Sequence, residues 1–198
     1  QVHNWMCYYL DHYLGSCDQY EAYARFGLDP VIYVSPERVY AEGDLANWQV
    51  REHAAGTDVD GIRHGGETIT TPEGTLTHRW DGNAFTTWDT EPLVKSEADF
   101  ELFASYALIP ERLDPRLVIE AKEKIGDQGI VRGGVSGYGQ GSPWQDLCVL
   151  MGTQEAIFAA MDKPDWVHHA LQVILEKRLL WIERLADCTY DVIEDGGG

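Results

Sequence analysis

Aromatic and amide side chains surround a glycine-rich segment in the second half of the chain, and their types suit a flat, ring-shaped ligand. They are Tyr138, Gln140, Trp144 and Gln145. Aromatic rings can line the face of such a ligand, and amides can hydrogen-bond its polar edge. The alternative is structural, with Trp144 packed in the core and Gln145 capping a helix. We predict a substrate-binding site here and leave the structural alternative open.

Two acids, Glu194 and Asp195, stand directly before the three glycines that end the sequence. The residues from Tyr190 onward predict a short strand, so both acids would lie at its carboxyl end. That position suits a carboxylate that faces a cleft, although a solvated turn is the alternative. We predict Glu194 and Asp195 as the catalytic residues.

Residues 128–146 predict the joint that would position these side chains. Ile130, Val131 and Val135 indicate a buried strand, and five glycines then allow turns and close backbone approach. The run Ser142-Pro143-Trp144-Gln145 predicts a helix start, with an N-cap, a proline at the first helical position and a capping-box glutamine. Enzymes with parallel sheets build their sites at such strand-loop-helix joints.

A hairpin is predicted within residues 58–81, where Thr71-Pro72-Glu73-Gly74 has the composition of a turn. Counting outward from the turn pairs Ile69 with Leu76 and Glu67 with His78. This register places the two apolar residues together on one face.

Local signals predict the remaining elements. We expect an opening strand that ends near Tyr9, a helix over residues 18–26 and a strand over residues 31–34. Two further helices are expected to start at Ser96 and at Asp114-Pro115. A short helix is expected over residues 154–161, and a long helix with one apolar face is expected to start at Pro164. That face comprises Trp166, Ala170, Leu171, Ile174, Leu175, Ile182 and Leu185.

The alternation of strands and helices in the later half predicts an α/β fold with a parallel sheet covered on both faces. Three or four strand-helix units can be counted, whereas a closed (β/α)8 barrel typically needs about 250 residues. We therefore predict one domain over residues 1–198, the front part of a (β/α)8 barrel whose C-terminal part is missing.

The chain is strongly acidic, with 33 Asp and Glu against 15 Lys and Arg and a formal net charge of -18. Such a charge repels nucleic acid and acidic membranes, so neither is an expected partner. We find no membrane-spanning run and no signal peptide, and we expect a cytoplasmic protein.

The remaining candidate motifs have simpler explanations. Cys7, His12 and Cys17 are close in sequence, but a strand and a helix would aim them apart, and we predict no metal site within the sequence. The glycine loop lacks the spacing and the lysine of a phosphate-binding loop.

Four segments together resemble the uroporphyrinogen decarboxylase superfamily, which also contains corrinoid-dependent methyltransferases. They are ITTPEGTLT at residues 69–77, WDTEPLVKSEAD at residues 88–99, the central GYGQGSPWQ and the closing YDVIEDGGG. The resemblance implies a (β/α)8 barrel with a β-hairpin insertion at about residues 58–81, and a substrate cleft at the carboxyl ends of the strands.

The resemblance is closer to the methyltransferase branch than to the decarboxylases. When Trp5 is placed on the decarboxylases' early tryptophan, Tyr8 and His12 occupy the positions of two carboxylate-binding arginines. Val149 occupies the position of a cleft tyrosine. We therefore count Tyr8 and His12 among the expected substrate-binding residues of a different reaction.

The function that the resemblance implies is methyl transfer between a corrinoid (cobalamin) or another methylated donor and a thiol or corrinoid acceptor. In that branch a zinc ion activates the thiol, and its ligands would lie beyond Gly198. The partner would be a small molecule or a corrinoid protein, and a homodimer is compatible with the family. Two alternatives stay open: porphyrinogen decarboxylation, and a non-catalytic barrel that binds a corrinoid.

Overall fold

The computed structural model describes residues 8–135 and 141–194. The helices are α1 (Tyr8–Tyr13), α2 (Gln19–Phe26), α3 (Glu42–Asn47), α4 (Glu97–Tyr106), α5 (Arg116–Ile125), α6 (Pro143–Met151), α7 (Thr153–Asp162) and α8 (Pro164–Leu185). The strands are β1 (Val31–Tyr33), β2 (Glu37–Val39), β3 (Gln49–Thr57), β4 (Arg63–Thr70), β5 (Thr75–Gly82), β6 (Thr87–Glu91), β7 (Arg112–Asp114), β8 (Ile130–Gly134) and β9 (Val192–Glu194).

These strands form three separate sheets rather than a barrel. The first is parallel, in the order β1-β8-β9. The other two sheets are antiparallel. One pairs β2 with β7, and the other has the strand order β3-β4-β5-β6. The prediction of a (β/α)8 barrel is therefore wrong, because the described residues contain no closed barrel and a parallel sheet of just three strands.

The barrel prediction failed because strand-helix alternation is a local signal, whereas the choice of partner strand depends on residues far apart in sequence. Residues 37–91 were predicted to contain one hairpin, yet they supply five strands. Strand β4 has two buried positions, Gly66 and Ile69, among exposed or half-buried ones. Such half-solvated strands are typical of antiparallel sheets, so this region forms its own sheet.

The hairpin itself is confirmed in position and register. Ile69 pairs with Leu76 and Glu67 with His78 across β4 and β5. Ile69 and Leu76 are both buried and join one hydrophobic cluster. At the turn, the Thr71 hydroxyl accepts a hydrogen bond from the Gly74 N–H at 3.1 Å. The turn chemistry and the burial of one face therefore fix the register together.

The helix starts predicted at Ser96 and Ser142 are confirmed, and Asp18, which was not predicted as a cap, also caps its helix. Asp18, Ser96 and Ser142 each accept a hydrogen bond from the backbone N–H three residues later, at 2.8, 3.1 and 3.2 Å. Helix α2 ends at Gly27, whose φ of 61° is a left-handed conformation that glycine adopts without steric cost. These bonds satisfy backbone donors that a helix start otherwise leaves without a partner.

The predicted opening strand is wrong for its described part, because residues from Tyr8 onward form helix α1. Aromatic residues favour strands, which is why this run suggested one. In the described chain no strand pairs with this segment. A helix satisfies its backbone groups without a neighbour.

The largest hydrophobic cluster packs α4, α6 and α8 against the buried face of the antiparallel sheet. Phe100 and Phe103 of α4 lie at its centre, fully buried. The buried face of α8 differs in part from the predicted one, since Leu175 and Ile182 are exposed. Its buried residues are Val167, Ala170, Ile174, Arg178, Trp181 and Leu185.

We expect Ser142→Ala to lower the free energy of unfolding by about 1 kcal/mol, because it removes the acceptor for the Gln145 N–H. Urea denaturation of the chain measures the change. Ser105→Ala is the control, since Ser105 is exposed within α4 and alanine is the better helix former there. Equal effects of the two substitutions would show that Ser142 does not cap α6.

A second prediction concerns His64, whose ring contacts Asp81 at 2.7 Å and Asp58 at 3.2 Å. The hydrogen bond to Asp81, followed by that to Asp58, raises the pKa of His64 above its ordinary 6.5. The charged contacts therefore stabilise the fold fully below pH 6.5 and are lost as pH rises through the raised pKa.

We expect His64→Gln to lower the urea midpoint more at about pH 5.5 than at about pH 8.5. His53→Gln is the control, because His53 lies in the same sheet and contacts the Thr68 hydroxyl, not a carboxylate. A loss of stability at His64 that is independent of pH contradicts the assignment.

Candidate functional site

The carboxyl ends of β1, β8 and β9 lie at one edge of the parallel sheet and bring three polar side chains together. Tyr33 is level with Arg132, and Gly134 is level with Glu194. Side chains two residues apart on a strand share a face, so Arg132 and Gly134 lie on one face with Tyr33 and Glu194. The opposite face carries Val131 into a separate apolar cluster. Ligands of open α/β sheets bind at this edge.

An ion pair between Arg132 and Glu194 dominates the geometry of this edge. The Arg132 Nη2 atom lies 2.6 Å from Glu194 Oε2. The Arg132 side chain is 10% exposed, whereas that of Glu194 is 43% exposed. The guanidinium carbon is also 5.6 Å from the Tyr33 ring centroid, a cation-π distance. A buried cation is thus neutralised by an acid that faces outward.

One donor of this guanidinium is unused. Arg132 Nε is buried and has no hydrogen-bond partner in the described chain. A buried unsatisfied donor costs about 1–3 kcal/mol. The edge therefore combines an unmet N–H donor with an accessible carboxylate.

Tyr190 supports the site from the other face of the sheet. Its hydroxyl donates to the Val34 carbonyl at 2.7 Å, and its ring lies against Gly133. Burial raises the pKa of Tyr190, so the phenol stays protonated and continues to donate. A Cβ atom at Gly133 would lie 2.6 Å from the Tyr190 ring, which explains a glycine in this central strand.

Asp191, the residue before strand β9, links this strand to β8 and α5 by hydrogen bonds. Its carboxylate accepts from the Val131 N–H at 2.8 Å and from Lys122 Nζ at 2.7 Å. The Lys122 bond, followed by the Val131 bond, lowers the pKa of Asp191. Asp191 therefore holds the strand that presents Glu194.

Among the predicted substrate-binding residues, Trp144 and Gln145 lie in the first turn of α6. The Gln145 N–H is capped by Ser142, while its side-chain Oε1 is buried without a partner in the described chain. The Trp144 side chain is partly open to solvent.

The other predicted residues lie on α1 or outside the described residues. Tyr8 begins α1, and His12 is exposed on that helix with its ring edge-on to Tyr13 at 4.9 Å between centroids. Tyr138, Gln140 and Asp195 lie outside the described residues. Glu194 is therefore the predicted catalytic residue whose surroundings the structure defines.

Arg132 and Tyr33 were missed as site residues. A signal for Arg132 was available, since an arginine interrupts the apolar run of β8 at the strand position that shares a face with Gly134. Tyr33 carried no such signal, because its proximity depends on the pairing of β1 with β8.

The described residues do not fit a zinc centre. Within residues 8–135 and 141–194, no group of three or more His, Cys, Asp and Glu is arranged to hold a metal ion. In the same ranges, no helix has the length and apolar character required to cross a membrane.

Comparison with known proteins yields no relative. No protein-family model matches the chain, nor does any curated protein or solved structure.

We expect Gly133→Ala to destabilise the chain by about 1–3 kcal/mol, because the added methyl group overlaps the Tyr190 ring. Denaturant unfolding measures the loss. Gly43→Ala is the matched control, since that glycine is helical and an added Cβ meets no atom within 4 Å. A Gly133 variant as stable as the Gly43 variant would refute the close packing of Tyr190 on β8.

Proposed function

We propose that the chain belongs to an enzyme that transfers a methyl group between a corrinoid or other methylated donor and a thiol or corrinoid acceptor, with the substrate bound at the carboxyl ends of β1, β8 and β9. The observation that carries the proposal is the neutralisation of Arg132 by Glu194 at 2.6 Å. It favours a polar, weakly charged substrate over a polyanion.

The charge of the site bears on the alternative of porphyrinogen decarboxylation. Arg132 is the one basic side chain among the residues of β1, β8 and β9, and it is already paired with the Glu194 carboxylate. An eight-fold carboxylate substrate requires several converging cations. The net charge of -18 also repels a polyanion at low salt.

The chemistry of a corrinoid suits the same edge better. The rim of its ring carries primary amide groups, each with an acceptor oxygen and a donor nitrogen. The Arg132 guanidinium supplies donors and the half-exposed Glu194 carboxylate supplies acceptors, side by side. Tyr33 adds an aromatic face next to them.

In the transfer, an electron pair of a thiolate sulfur or of the reduced corrinoid acceptor forms a bond to the methyl carbon. The bond between this carbon and the donor breaks at the same time, and its electron pair stays with the donor. Glu194 and Arg132 would orient the substrate for this step, which depends strongly on alignment. Because the described residues do not fit a zinc centre, no step is assigned to zinc.

The test compares two large ring ligands by equilibrium dialysis, methylcobalamin and uroporphyrin, the latter an air-stable substitute for the porphyrinogen. We expect the chain to bind methylcobalamin more tightly. Glu194→Gln leaves the Arg132 charge unpaired, so we expect the affinity for uroporphyrin to rise about tenfold, as one new charge-assisted hydrogen bond allows.

Glu155→Gln is the control, because it makes the same charge change at an exposed position on α7. It should leave both affinities unchanged. Tighter binding of uroporphyrin by the unaltered chain would reject methyl transfer in favour of the decarboxylase alternative. Failure to bind either ligand would reject the assignment of this edge as the binding site.

A further inference from the structure

A second buried arginine, Arg178 of α8, lines a cavity outside the parallel sheet. The cavity has a volume of about 50 Å³ and lies between α4, α6, α8 and the segment after α4. Its apolar wall includes Phe103, Ile174 and Trp181. Its polar lining is formed by Asp146, Lys177 and Arg178.

The polar lining is left incomplete by the protein. Arg178 pairs with Asp146, and their side chains are 6% and 3% exposed. Arg178 Nε, Arg178 Nη1 and Asp146 Oδ1 are nevertheless buried without hydrogen-bond partners in the described chain. Buried polar atoms are normally satisfied, and each exception requires an explanation. Three polar atoms of one ion pair therefore have hydrogen-bonding capacity that the described residues do not use.

Lys177 adds a second cation at the same cavity. Its ammonium lies 3.4 Å from the Ala107 carbonyl and 5.8 Å from the Phe103 ring centroid. Burial lowers the pKa of Lys177, although Asp44 opposes the effect. An anion placed beside this ammonium would offset the cost of burying it.

The charges of the lining residues favour a negatively charged ligand in the cavity. Two cations and one acid line the cavity, so the lining itself carries one net positive charge, which Asp44 offsets in part from outside the lining. The remaining wall is apolar and offers contact area to a hydrocarbon group. The small volume suits a ligand of a few heavy atoms.

We propose that this cavity binds a small monocarboxylate, with its carboxylate on Arg178 and Lys177 and its short hydrocarbon part against Phe103, Ile174 and Trp181. The site is independent of the proposed function at the parallel sheet. Water alone would also satisfy hydrogen bonds, but it brings no negative charge to the second cation of the lining.

Sodium acetate is the probe, and its binding is measured by calorimetric titration and by the shift of the melting temperature. We expect acetate to raise the melting temperature above the value in sodium chloride of equal ionic strength. Methylammonium chloride, with a cation of similar size, should have no such effect. Trimethylacetate should bind more weakly than acetate, because its larger hydrocarbon group fits the small cavity less well.

Lys177→Gln is the decisive variant, since Lys177 is half-buried and the ion pair of Arg178 stays intact. We expect its acetate affinity to fall at least about tenfold, the effect of losing one charged hydrogen bond. Lys163→Gln is the matched control, because Lys163 pairs with Glu97 at the surface just before α8. It should bind acetate as the unaltered chain does.

Three results would overturn the proposal. The first is stabilisation by acetate no greater than that by chloride, which is the outcome expected of a cavity filled by water. The second is unchanged acetate affinity in Lys177→Gln. The third is an equal loss of affinity in Lys163→Gln, which would indicate a general effect of surface charge.

Discussion

The central position of β8 is the constraint on which the parallel sheet depends. This strand is hydrogen-bonded to β1 on one side and to β9 on the other, so both edges of its backbone are occupied. Its side chains must then fit between layers on both faces. Val131 fills one layer, while glycine at position 133 admits the Tyr190 ring. The polar edge exists because the same strand directs Arg132 to the other face.

Two buried arginines recur in this acidic chain with the same arrangement. Arg132 is paired with Glu194 and Arg178 with Asp146, and each keeps an unsatisfied Nε in the described chain. Removing one partner of a buried pair costs about 3–5 kcal/mol, whereas the intact pair adds little net stability. Such pairs therefore contribute less to folding than their hydrogen bonds suggest. The unfilled donors beside them are the feature on which both binding proposals rest.

Much of the local structure could be predicted from sequence, because it is determined by neighbouring residues. The caps at Ser96 and Ser142 and the hairpin register at Ile69 rest on side-chain chemistry within a few residues. The three-sheet topology could not be predicted in this way, since the pairing of β2 with β7 joins segments about seventy residues apart. Local signals say where strands form, and long-range packing decides which strands meet.

The same distinction separates the site residues that were predicted from those that were missed. Glu194 was predicted from its place at the end of a strand, whereas its partner Arg132 depends on the register between β8 and β9. Arg178 was missed because it occupies a position on the buried face of α8, between Ile174 and Trp181, where an apolar residue is expected.

The loss of the barrel changes what supports the proposed function. A resemblance in sequence motifs had implied both a fold and an activity, and the fold it implied is wrong. Folds and functions are only loosely linked, so the loss of the barrel does not decide the activity, which must be argued from the site. The site at the parallel sheet depends instead on the register of β1, β8 and β9. It also depends on the ion pair of Arg132 with Glu194, whose charges cancel. A neutral polar edge beside an aromatic ring discriminates between ligands by charge, whatever the rest of the architecture.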